Sequence, residues 1–422
     1  MHLARFSLIV IFLLVLTSCM VNPVTGKREL SLMSQDQQIA MGEQYYKPYQ
    51  QQQGGVYIVD PNLNVYIRSI GQKLAAVSDQ KNLPYDFVVL NDSTPNAWAL
   101  PGGKIAINRG LLLLMEDESQ LAAVLAHEIV HAAAGHSALQ QTRSSLLGLG
   151  ASAISLLGGR TDYGALIDQG LGLGVGAVSA QYGRWDELEA DAVGVRYMID
   201  AGYDPNGAVE LQQKFVELSQ GRERDIMSSL FASHPPSQKR VELNRELAAN
   251  KTGVRNKKAY QRAIRQLQKD AKAYRAHDQA LKAASEKNFT YALSLVNSAI
   301  KQQPQEAIFY VTKGQLLAQN GKQTEALAAF KTASNKNPEY IMGYLNRGIT
   351  EYKLKKTRDA QNSLITAERI LRTPIANFYL GEIFLAQGNS GAATDHYRFA
   401  AQDSGEIGNA AKGRLAKLGQ AQ

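Results

Sequence analysis

Cysteine is almost missing from this sequence, which has one cysteine in 422 residues. A single thiol cannot form an intramolecular disulfide, nor can it supply the thiolate cluster of a structural zinc or iron–sulfur site. Any resident metal must therefore be held by histidines and carboxylates. The excess of positive over negative charge is also small. A net charge of +8 over this length is too little to predict a nucleic-acid partner. With 45% hydrophobic residues, the chain is long enough for two or three folded domains.

The one cysteine, Cys19, follows a segment typical of a secretory signal. A short basic start precedes an apolar stretch over residues 6–16, which is too short to span a bilayer as a helix. Leu16-Thr17-Ser18-Cys19 resembles the bacterial lipobox, which implies cleavage after residues 1–18 and acylation of Cys19. By the sorting pattern of such lipoproteins, Met20 favours the outer membrane. We therefore expect a periplasmic protein attached to the outer membrane by a lipidated Cys19, with an ordinary signal peptide as the alternative.

Composition and periodicity divide the rest of the chain into five segments. Helical spacing predicts a helix over residues 60–77 and a stronger one from Glu116 to Ser137, with strands over residues 87–90 and 104–108. The predicted segments are a lipid anchor and tether leading into an amphipathic helix (19–55), a compact mixed domain (56–250), a basic helical linker (251–272), a repeat array (273–405) and a capping helix (406–422).

Residues 144–182 are unusually rich in glycine, alanine and leucine. The first apolar part, residues 144–159, would be about 24 Å long as a helix, shorter than the ~30 Å apolar core of a bilayer. No transmembrane helix is therefore predicted. The segment is expected to form either a pair of buried helices or a mobile lid that contacts substrate.

Small residues recur with a period of about 34 residues in the C-terminal part of the chain. One series, at intervals of 34, 34 and 33 residues, consists of Ala299, Ala333, Ala367 and Ala400. Stacked helical hairpins need small residues at fixed offsets, because their paired helices approach closely. The positions resemble the tetratricopeptide repeat (TPR), which implies a solenoid that binds peptides or proteins in its concave face. A purely structural array is the alternative.

The sequence His127-Glu128-Ile129-Val130-His131 lies within the stronger predicted helix. Two histidines four residues apart share one side of a helix, so both imidazoles can reach one metal ion. Glu128 is offset by one residue, toward the position of an attacking water. A hydrogen-bonded histidine pair on a surface helix is the alternative. A catalytic zinc also needs a third protein ligand and an open position.

Spacing limits the choice of the third ligand without deciding it. His136 lies about 140° from His131 around a continuous helix, so it is expected to point elsewhere. Glu187 and Asp191 share a face of a second predicted helix, so one can bind zinc while the other accepts a hydrogen bond from a ligand imidazole. Glu189 lies about 200° from Glu187 and is expected to face away, although spacing alone leaves both glutamates as candidates.

Four motifs in this order resemble the HtpX and CAAX-prenyl-protease family of zinc metallopeptidases. They are Asn96-Ala97-Trp98-Ala99-Leu100-Pro101-Gly102-Gly103, the H-E-x-x-H helix, E-x-x-A-D from Glu187, and Ser233-His234-Pro235 followed by Arg240. The lipobox and the repeats resemble the BepA-like periplasmic lipoprotein branch of that family. The resemblance implies an α+β, gluzincin-type metalloprotease domain, mostly helical with a small sheet, followed by an all-α TPR solenoid.

The same resemblance implies roles for individual residues. It implies one Zn²⁺ per chain, with the ligands His127, His131 and Glu187, and it makes Glu128 the general base and Asp191 the support of a ligand imidazole. Residues Asn96, Ala97, Trp98 and Ala99 would form an edge strand to which an extended peptide adds by main-chain pairing.

His234 and Arg240 depend on the resemblance more heavily. From sequence alone, a histidine before Pro235 is expected to be structural or exposed. The resemblance instead implies a place near the metal, where His234 donates to the oxyanion or reversibly blocks the open position. Arg240 would stabilise the same charge or pair with Glu128.

These expectations together describe a zinc endopeptidase that degrades or surveys misassembled envelope proteins. The TPR array would recruit unfolded or misassembled envelope proteins, or the outer-membrane assembly machinery. Two alternatives remain open: a chaperone-like assembly adaptor whose protease is normally shut off, and a hydrolase that processes peptidoglycan or lipoproteins.

Overall fold

The computed structural model of the chain describes residues 19–146, 182–221 and 227–420. The predicted signal peptide and most of the glycine-rich segment 144–182 lie outside the described residues. The strands are β1 (Cys19–Val21), β2 (Arg28–Leu30), β3 (Asp86–Leu90), β4 (Ala97–Leu100) and β5 (Lys104–Asn108).

The described helices fall into an N-terminal group that packs around the sheet and a C-terminal group that stacks in pairs. The first group is α1 (Gln35–Gln52), α2 (Pro61–Ala75), α3 (Arg109–Leu112), α4 (Glu118–Ala133), α5 (His136–Leu146), α6 (Arg184–Asp200), α7 (Asn206–Gln220), α8 (Ser228–Ser233), α9 (Gln238–Ala248) and α10 (Lys257–Ala263). The second is α11 (Arg265–Ser285), α12 (Phe289–Gln302), α13 (Ala307–Gln319), α14 (Gln323–Lys336), α15 (Ile341–Lys353), α16 (Thr357–Ile370), α17 (Pro374–Ala386), α18 (Ser390–Ala400) and α19 (Glu406–Gln420).

The larger sheet has the strand order β3-β5-β4, with β3 parallel and β4 antiparallel to the central β5. Side chains alternate between its two faces, as strand geometry requires. Phe87 and Ile105 point into the main core with α2 and α4, whereas Val88 and Ala106 join a separate apolar cluster under α1. The sheet is therefore covered on both faces, and β4 lies at its edge.

Residues 19–55, predicted as a tether leading into an amphipathic helix, pack onto the domain, with α1 against β4 and β5 and with β2 against α5. Strands β1 and β2 pair as a short antiparallel hairpin. Ser34 caps the start of helix α1, and its side chain accepts a hydrogen bond from the Gln37 amide in a capping box. Tyr46 and Tyr49 on α1 are buried against the sheet. Most of this segment is thus part of the folded domain.

Helix α4 is shorter than the predicted span from Glu116 to Ser137. The Asp117 carboxylate caps its first turn. The helix ends at Ala133 because Gly135 adopts the left-handed conformation, with φ of +68°, and α5 then starts in a new direction at His136. The prediction of one continuous helix was therefore wrong at its C-terminal end.

The C-terminal helices form antiparallel pairs, α11 with α12, α13 with α14, α15 with α16 and α17 with α18, and α19 covers the last pair. The periodic alanines of the sequence are all buried in these pairs. Gly314 shows why the positions need small residues, since a Cβ there would lie 2.4 Å from Cε1 of Phe330. The predicted fold class, a mostly helical domain with a small sheet followed by helical repeats, is confirmed.

A buried polar network joins the repeats to the N-terminal domain. The Arg109 guanidinium lies 3.4 Å from the centre of the Tyr274 ring and donates to Asn91 Oδ1 at 2.8 Å and to Ser93 Oγ at 2.7 Å. Asn91 in turn donates to Glu306 at 2.9 Å. Arg109, Asn91, Tyr274 and Glu306 are all buried. Directional contacts therefore hold the first repeats against the domain that contains the sheet. Within the described residues, no helix is both long enough and apolar enough to span a bilayer.

Candidate active site

Four side chains from three places in the chain converge beside the sheet. Ligand atoms of His127, His131, Glu187 and His234 all lie within 4.8 Å of one another. None of the four residues is more than 9% exposed. Buried polar groups so close together need a shared partner or shared protons, which makes this cluster the candidate metal centre.

Helices α4 and α6 pack against each other and bring the first three of these groups together. His127 Nε2 lies 3.0 Å from His131 Nε2. The Glu187 carboxylate approaches both rings, with Oε1 3.2 Å from His131 Nε2 and Oε2 3.5 Å from His127 Nε2. Both imidazoles therefore present the same nitrogen, Nε2, to one point.

The outer nitrogens of the two imidazoles have different partners. His127 Nδ1 lies 3.1 Å from Asp191 Oδ1, on α6. His131 Nδ1 lies 2.8 Å from Nδ1 of His136. His136 is not one of the clustered donors, as expected, but the prediction that it points away from His131 was wrong. The helix break at Gly135 explains the error, because the 140° angle assumed a continuous helix.

Glu189 lies outside the metal cluster. Its carboxylate approaches His136 Nε2 at 3.4 Å. The residue thus faces away from the point at which the Nε2 atoms meet, but it contacts the histidine behind His131.

Glu128 is buried next to the cluster, 2% exposed. Its Oε1 lies 3.5 Å from His234 Nε2, and its Oε2 is a buried oxygen without a hydrogen-bond partner in the described part of the chain. Burial raises the pKa of Glu128, although His234 and His127 oppose the shift. An unpartnered acceptor beside a candidate metal is suited to receive a proton from water.

His234 is the fourth member of the cluster, although its sequence context alone predicted a structural or exposed histidine away from the metal. It follows the short helix α8, and its Nδ1 lies 3.0 Å from Glu187 Oε1 and 3.2 Å from His127 Nε2. This nitrogen is therefore a fourth possible donor atom in the cluster formed by His127, His131 and Glu187.

Arg240 pairs with Asp191 and Glu187 rather than with Glu128. Its Nε and Nη2 donate to the two Asp191 oxygens at 2.5 and 2.8 Å, and its Nη1 lies 2.7 Å from Glu187 Oε2. Burial alone would raise the pKa values of both acids, but Arg240 and the histidines lower them below their usual range. Both carboxylates are therefore ionised at neutral pH.

The charges also act on the two imidazoles. Burial opposes protonation of His127, but Glu187 and Asp191 outweigh it and raise its pKa to about 10. Burial lowers the pKa of His131, so one ring of the pair is neutral. Metal uptake at this site must consequently displace a proton from His127.

Tyr182 closes the cluster on the side of His131, and sequence analysis missed it. Its ring stacks on the His131 imidazole at 3.7 Å between centres, and its hydroxyl lies 3.1 Å from Ser137 Oγ and donates to the Ala99 carbonyl at 3.4 Å. No local pattern marks a tyrosine at the end of a glycine-rich segment, so the contact follows only from the tertiary fold.

Strand β4 runs beside the cluster as an edge strand, and one side of its backbone ladder is unpaired by any described strand. The amide of Asn108 donates to the carbonyl of Asn96, so the alternation of an antiparallel ladder turns the backbone groups of Ala97 and Ala99 away from β5. No described strand pairs with that side. The Trp98 side chain packs under the sheet against Tyr46, and Asn96 Nδ2 donates to Ser229.

An apolar cavity of about 50 Å³ adjoins Glu128 and His234. Its apolar lining includes Leu111, Val124, Val195, Met198, Leu211 and Leu230. An apolar cavity beside these buried polar side chains can receive a small apolar side chain.

The donor set fits a zinc ion. Two imidazole nitrogens and one carboxylate oxygen are the protein ligands of a common class of catalytic zinc site. The ionised Glu187 and the paired Nε2 atoms of His127 and His131 satisfy this requirement, and Asp191 and His136 support the rings from behind. Among the described residues, this is the one group of donors arranged closely enough to hold a metal.

Comparisons with known proteins agree with this site. The profile of Peptidase family M48 matches residues 61–251, and that of the tetratricopeptide repeat matches residues 257–339 and 345–407. The chain is 32% identical over 225 residues to the mitochondrial metalloendopeptidase OMA1 of Schizosaccharomyces pombe, a match covering 52% of this chain and 63% of that protein.

Two bacterial relatives come from Escherichia coli (strain K12). The chain is 29% identical over 227 residues to the beta-barrel assembly-enhancing protease, covering 52% of this chain and 45% of that protein. It is 30% identical over 191 residues to the metalloprotease YcaL, covering 43% of this chain and 70% of that protein. The chain thus covers only 63% of the length of OMA1 and 45% of the length of the beta-barrel assembly-enhancing protease. From the profile, the relatives and the site, we conclude that this chain belongs to Peptidase family M48 and carries tetratricopeptide repeats after its peptidase domain.

Proposed function

We propose that this chain is a zinc-dependent endopeptidase that degrades or surveys misassembled envelope proteins. The observation that carries the proposal is the convergence of His127, His131 and Glu187 beside the buried, unpartnered carboxylate oxygen of Glu128. The family match and the names of the relatives support peptide-bond hydrolysis.

In this proposal each group has a distinct task. Zinc held by His127, His131 and Glu187 would polarise the scissile carbonyl and lower the pKa of the attacking water. Glu128 accepts the proton of that water and passes it to the leaving amine. Asp191 holds the His127 ring, and Arg240 keeps Asp191 and Glu187 ionised and in place.

The substrate binds as an added strand. Ala97 and Ala99 turn their amide and carbonyl groups to the open side of β4, where an extended peptide can form ladder hydrogen bonds. A peptide paired there runs past Glu128, and the apolar cavity next to Glu128 receives one of its side chains. Because Tyr182 bonds to the Ala99 carbonyl, its hydroxyl must move when the peptide pairs along the whole strand.

The repeats and the anchor define where the enzyme works. The TPR array recruits unfolded envelope proteins or an outer-membrane assembly machine, and the buried network around Arg109 holds the array next to the peptidase domain. Lipidation of Cys19 attaches the protein to the periplasmic face of the outer membrane. The lipobox-like sequence and the bacterial relative named for beta-barrel assembly support these two steps.

The proposal is tested by incubating the mature protein with a denatured outer-membrane β-barrel protein. Wild type should cleave it and lose activity in a metal chelator, while Glu128→Gln should be at least about 100-fold slower because no proton acceptor remains. Both proteins should bind one zinc ion. Equal cleavage by wild type and Glu128→Gln would refute the proposal.

A second function, a chaperone-like assembly adaptor, is favoured by one observation. His234 Nδ1 already lies within 3.2 Å of both His127 and Glu187, so it can fill the metal's open position and hold the protease shut. If the Glu128→Gln gene restored β-barrel assembly to a deletion strain as well as wild type does, the adaptor function would be the main one.

A further inference from the structure

The two candidate ligand imidazoles are supported by chemically different partners. His127 has the Asp191 carboxylate behind it, whereas His131 has another imidazole, that of His136, with the two Nδ1 atoms 2.8 Å apart. His136 is 1% exposed, so water cannot replace this contact. Behind His136 lies the Glu189 carboxylate, 3.4 Å from Nε2.

His131, His136 and Glu189 lie one behind the other, and the nitrogen that His131 turns toward the cluster decides where the protons of both rings lie. His131 presents Nε2 to Glu187 and His127, so a ring that offers its Nε2 lone pair there carries its proton on Nδ1. That proton points at His136 Nδ1, which must then be the acceptor. His136 consequently carries its own proton on Nε2, the atom that faces the Glu189 oxygen.

Charge explains why an imidazole suits this position. Glu128, Glu187 and Asp191 already place three buried carboxyl groups around the cluster, with Arg240 as the cation paired to two of them. A further carboxylate directly behind His131 would add the desolvation cost of a fourth buried acid. A neutral acceptor fixes the ring without that cost, and the Glu189 side chain lies nearer solvent, 21% exposed.

We propose that His136 is a positioning residue that fixes the tautomer and orientation of His131 for metal binding, and that Glu189 fixes the tautomer of His136. This inference rests on the proposed function, because it assumes that His131 is a metal ligand. The helix break at Gly135 is what turns His136 toward His131.

The test compares two variants of similar size at position 136. His136→Asn keeps an acceptor oxygen close to the position of Nδ1, whereas His136→Leu fills the space without one. Zinc affinity is measured on the purified mature protein by competition with a chelator. Loss of such a partner typically weakens metal binding about 10- to 100-fold. The zinc affinity of His136→Leu should fall by this amount, while that of His136→Asn should stay within about threefold of wild type. Glu189→Gln should lie between them.

A second readout separates positioning from general damage. In zinc-loaded protein with ¹⁵N-labelled histidine, wild type and His136→Asn should show His131 protonated on Nδ1, with a proton that is protected from solvent exchange. His136→Leu should lose that protection. If the Leu variant does not fold, His136→Gln, whose amide reaches the Nε2 position instead, replaces it and should show the same weaker binding.

The outcomes separate this inference from the proposed function. Equal zinc affinity of the folded Leu or Gln variant and wild type would overturn the inference while leaving the peptidase intact. Zinc binding with the predicted order of variants but no cleavage by wild type would remove the peptidase and leave the inference standing. If wild type bound no zinc at all, both would fall.

Discussion

At the scale of single residues, the candidate site balances buried acids against one arginine and several imidazoles. Burial raises the pKa of Glu128, while Arg240 and the imidazoles hold the pKa values of Glu187 and Asp191 low. One carboxyl group is thus inclined to take a proton and two are held ionised. Divergent pKa values of neighbouring acids are a physical basis for dividing proton transfer from charge stabilisation.

His234 provides the first prediction at this scale. If His234 competes for the metal's open position, His234→Ala should raise cleavage of a short unstructured peptide by roughly tenfold, which corresponds to removing about 1.4 kcal/mol of competition. Turnover of the peptide measures the effect, with His396→Ala, in the last repeat pair, as the matched control. A fall of about 100-fold would instead assign His234 to stabilising the oxyanion.

At the scale of elements, the sequence predicted the features that depend on local helix geometry. It missed the features that depend on the end of a helix or on contacts between distant parts of the chain. The H-E-x-x-H spacing places both rings on one side of α4 because four residues make about one helical turn. The break at Gly135 was missed, since glycine also occurs inside helices, and His136 was misplaced as a result. Tyr182 was missed because its contacts with His131 and Ala99 join parts of the chain that are distant in sequence.

Strand β4 provides a prediction at the scale of elements. The Ala99 amide points to the open side, so Ala99→Pro removes one donor for the added peptide strand and leaves the ladder to β5 intact. Losing one such hydrogen bond should lower kcat/KM for an extended peptide by roughly three- to tenfold.

Ala99→Ser keeps the amide and serves as the control for this change. Thermal unfolding of both variants checks that the sheet is preserved. If Ala99→Pro were as active as Ala99→Ser, main-chain pairing at β4 would not contribute to substrate binding.

At the scale of the whole molecule, the peptidase domain and the repeats share buried polar groups. His277 on α11 bonds to Thr312 Oγ1 on α13 at 2.8 Å, within the repeats but within electrostatic reach of Arg109 in the peptidase domain. Burial, with a smaller contribution from Arg109, lowers the pKa of His277 to about 3. The folded chain therefore holds this ring neutral, and stability near the junction depends on pH.

Stability should fall as the pH falls, because the unfolded chain binds a proton at His277 more readily than the folded chain does. The unfolded chain binds a proton at His277 below its ordinary pKa of about 6.5, whereas the folded chain does so only below about 3. The contribution of His277 to stability is complete above pH 6.5 and is lost as the pH falls toward 3. By pH 5 the loss is about 2 kcal/mol.

His277→Gln should reduce this loss, since its amide does not titrate and can still reach Thr312. Urea unfolding of wild type and variant at pH 7.5 and pH 5 measures the difference between their pH dependences. Identical pH dependence in the two proteins would contradict the assignment of His277 as a buried neutral ring.

The central claim is that one zinc ion is held between α4 and α6. The most direct test is a crystal structure of the purified mature protein with anomalous scattering recorded at the zinc edge. We predict one peak about 2.0–2.2 Å from His127 Nε2, His131 Nε2 and a Glu187 carboxylate oxygen. A zinc-loaded protein with no peak at these atoms, or with its peak elsewhere, would contradict the account.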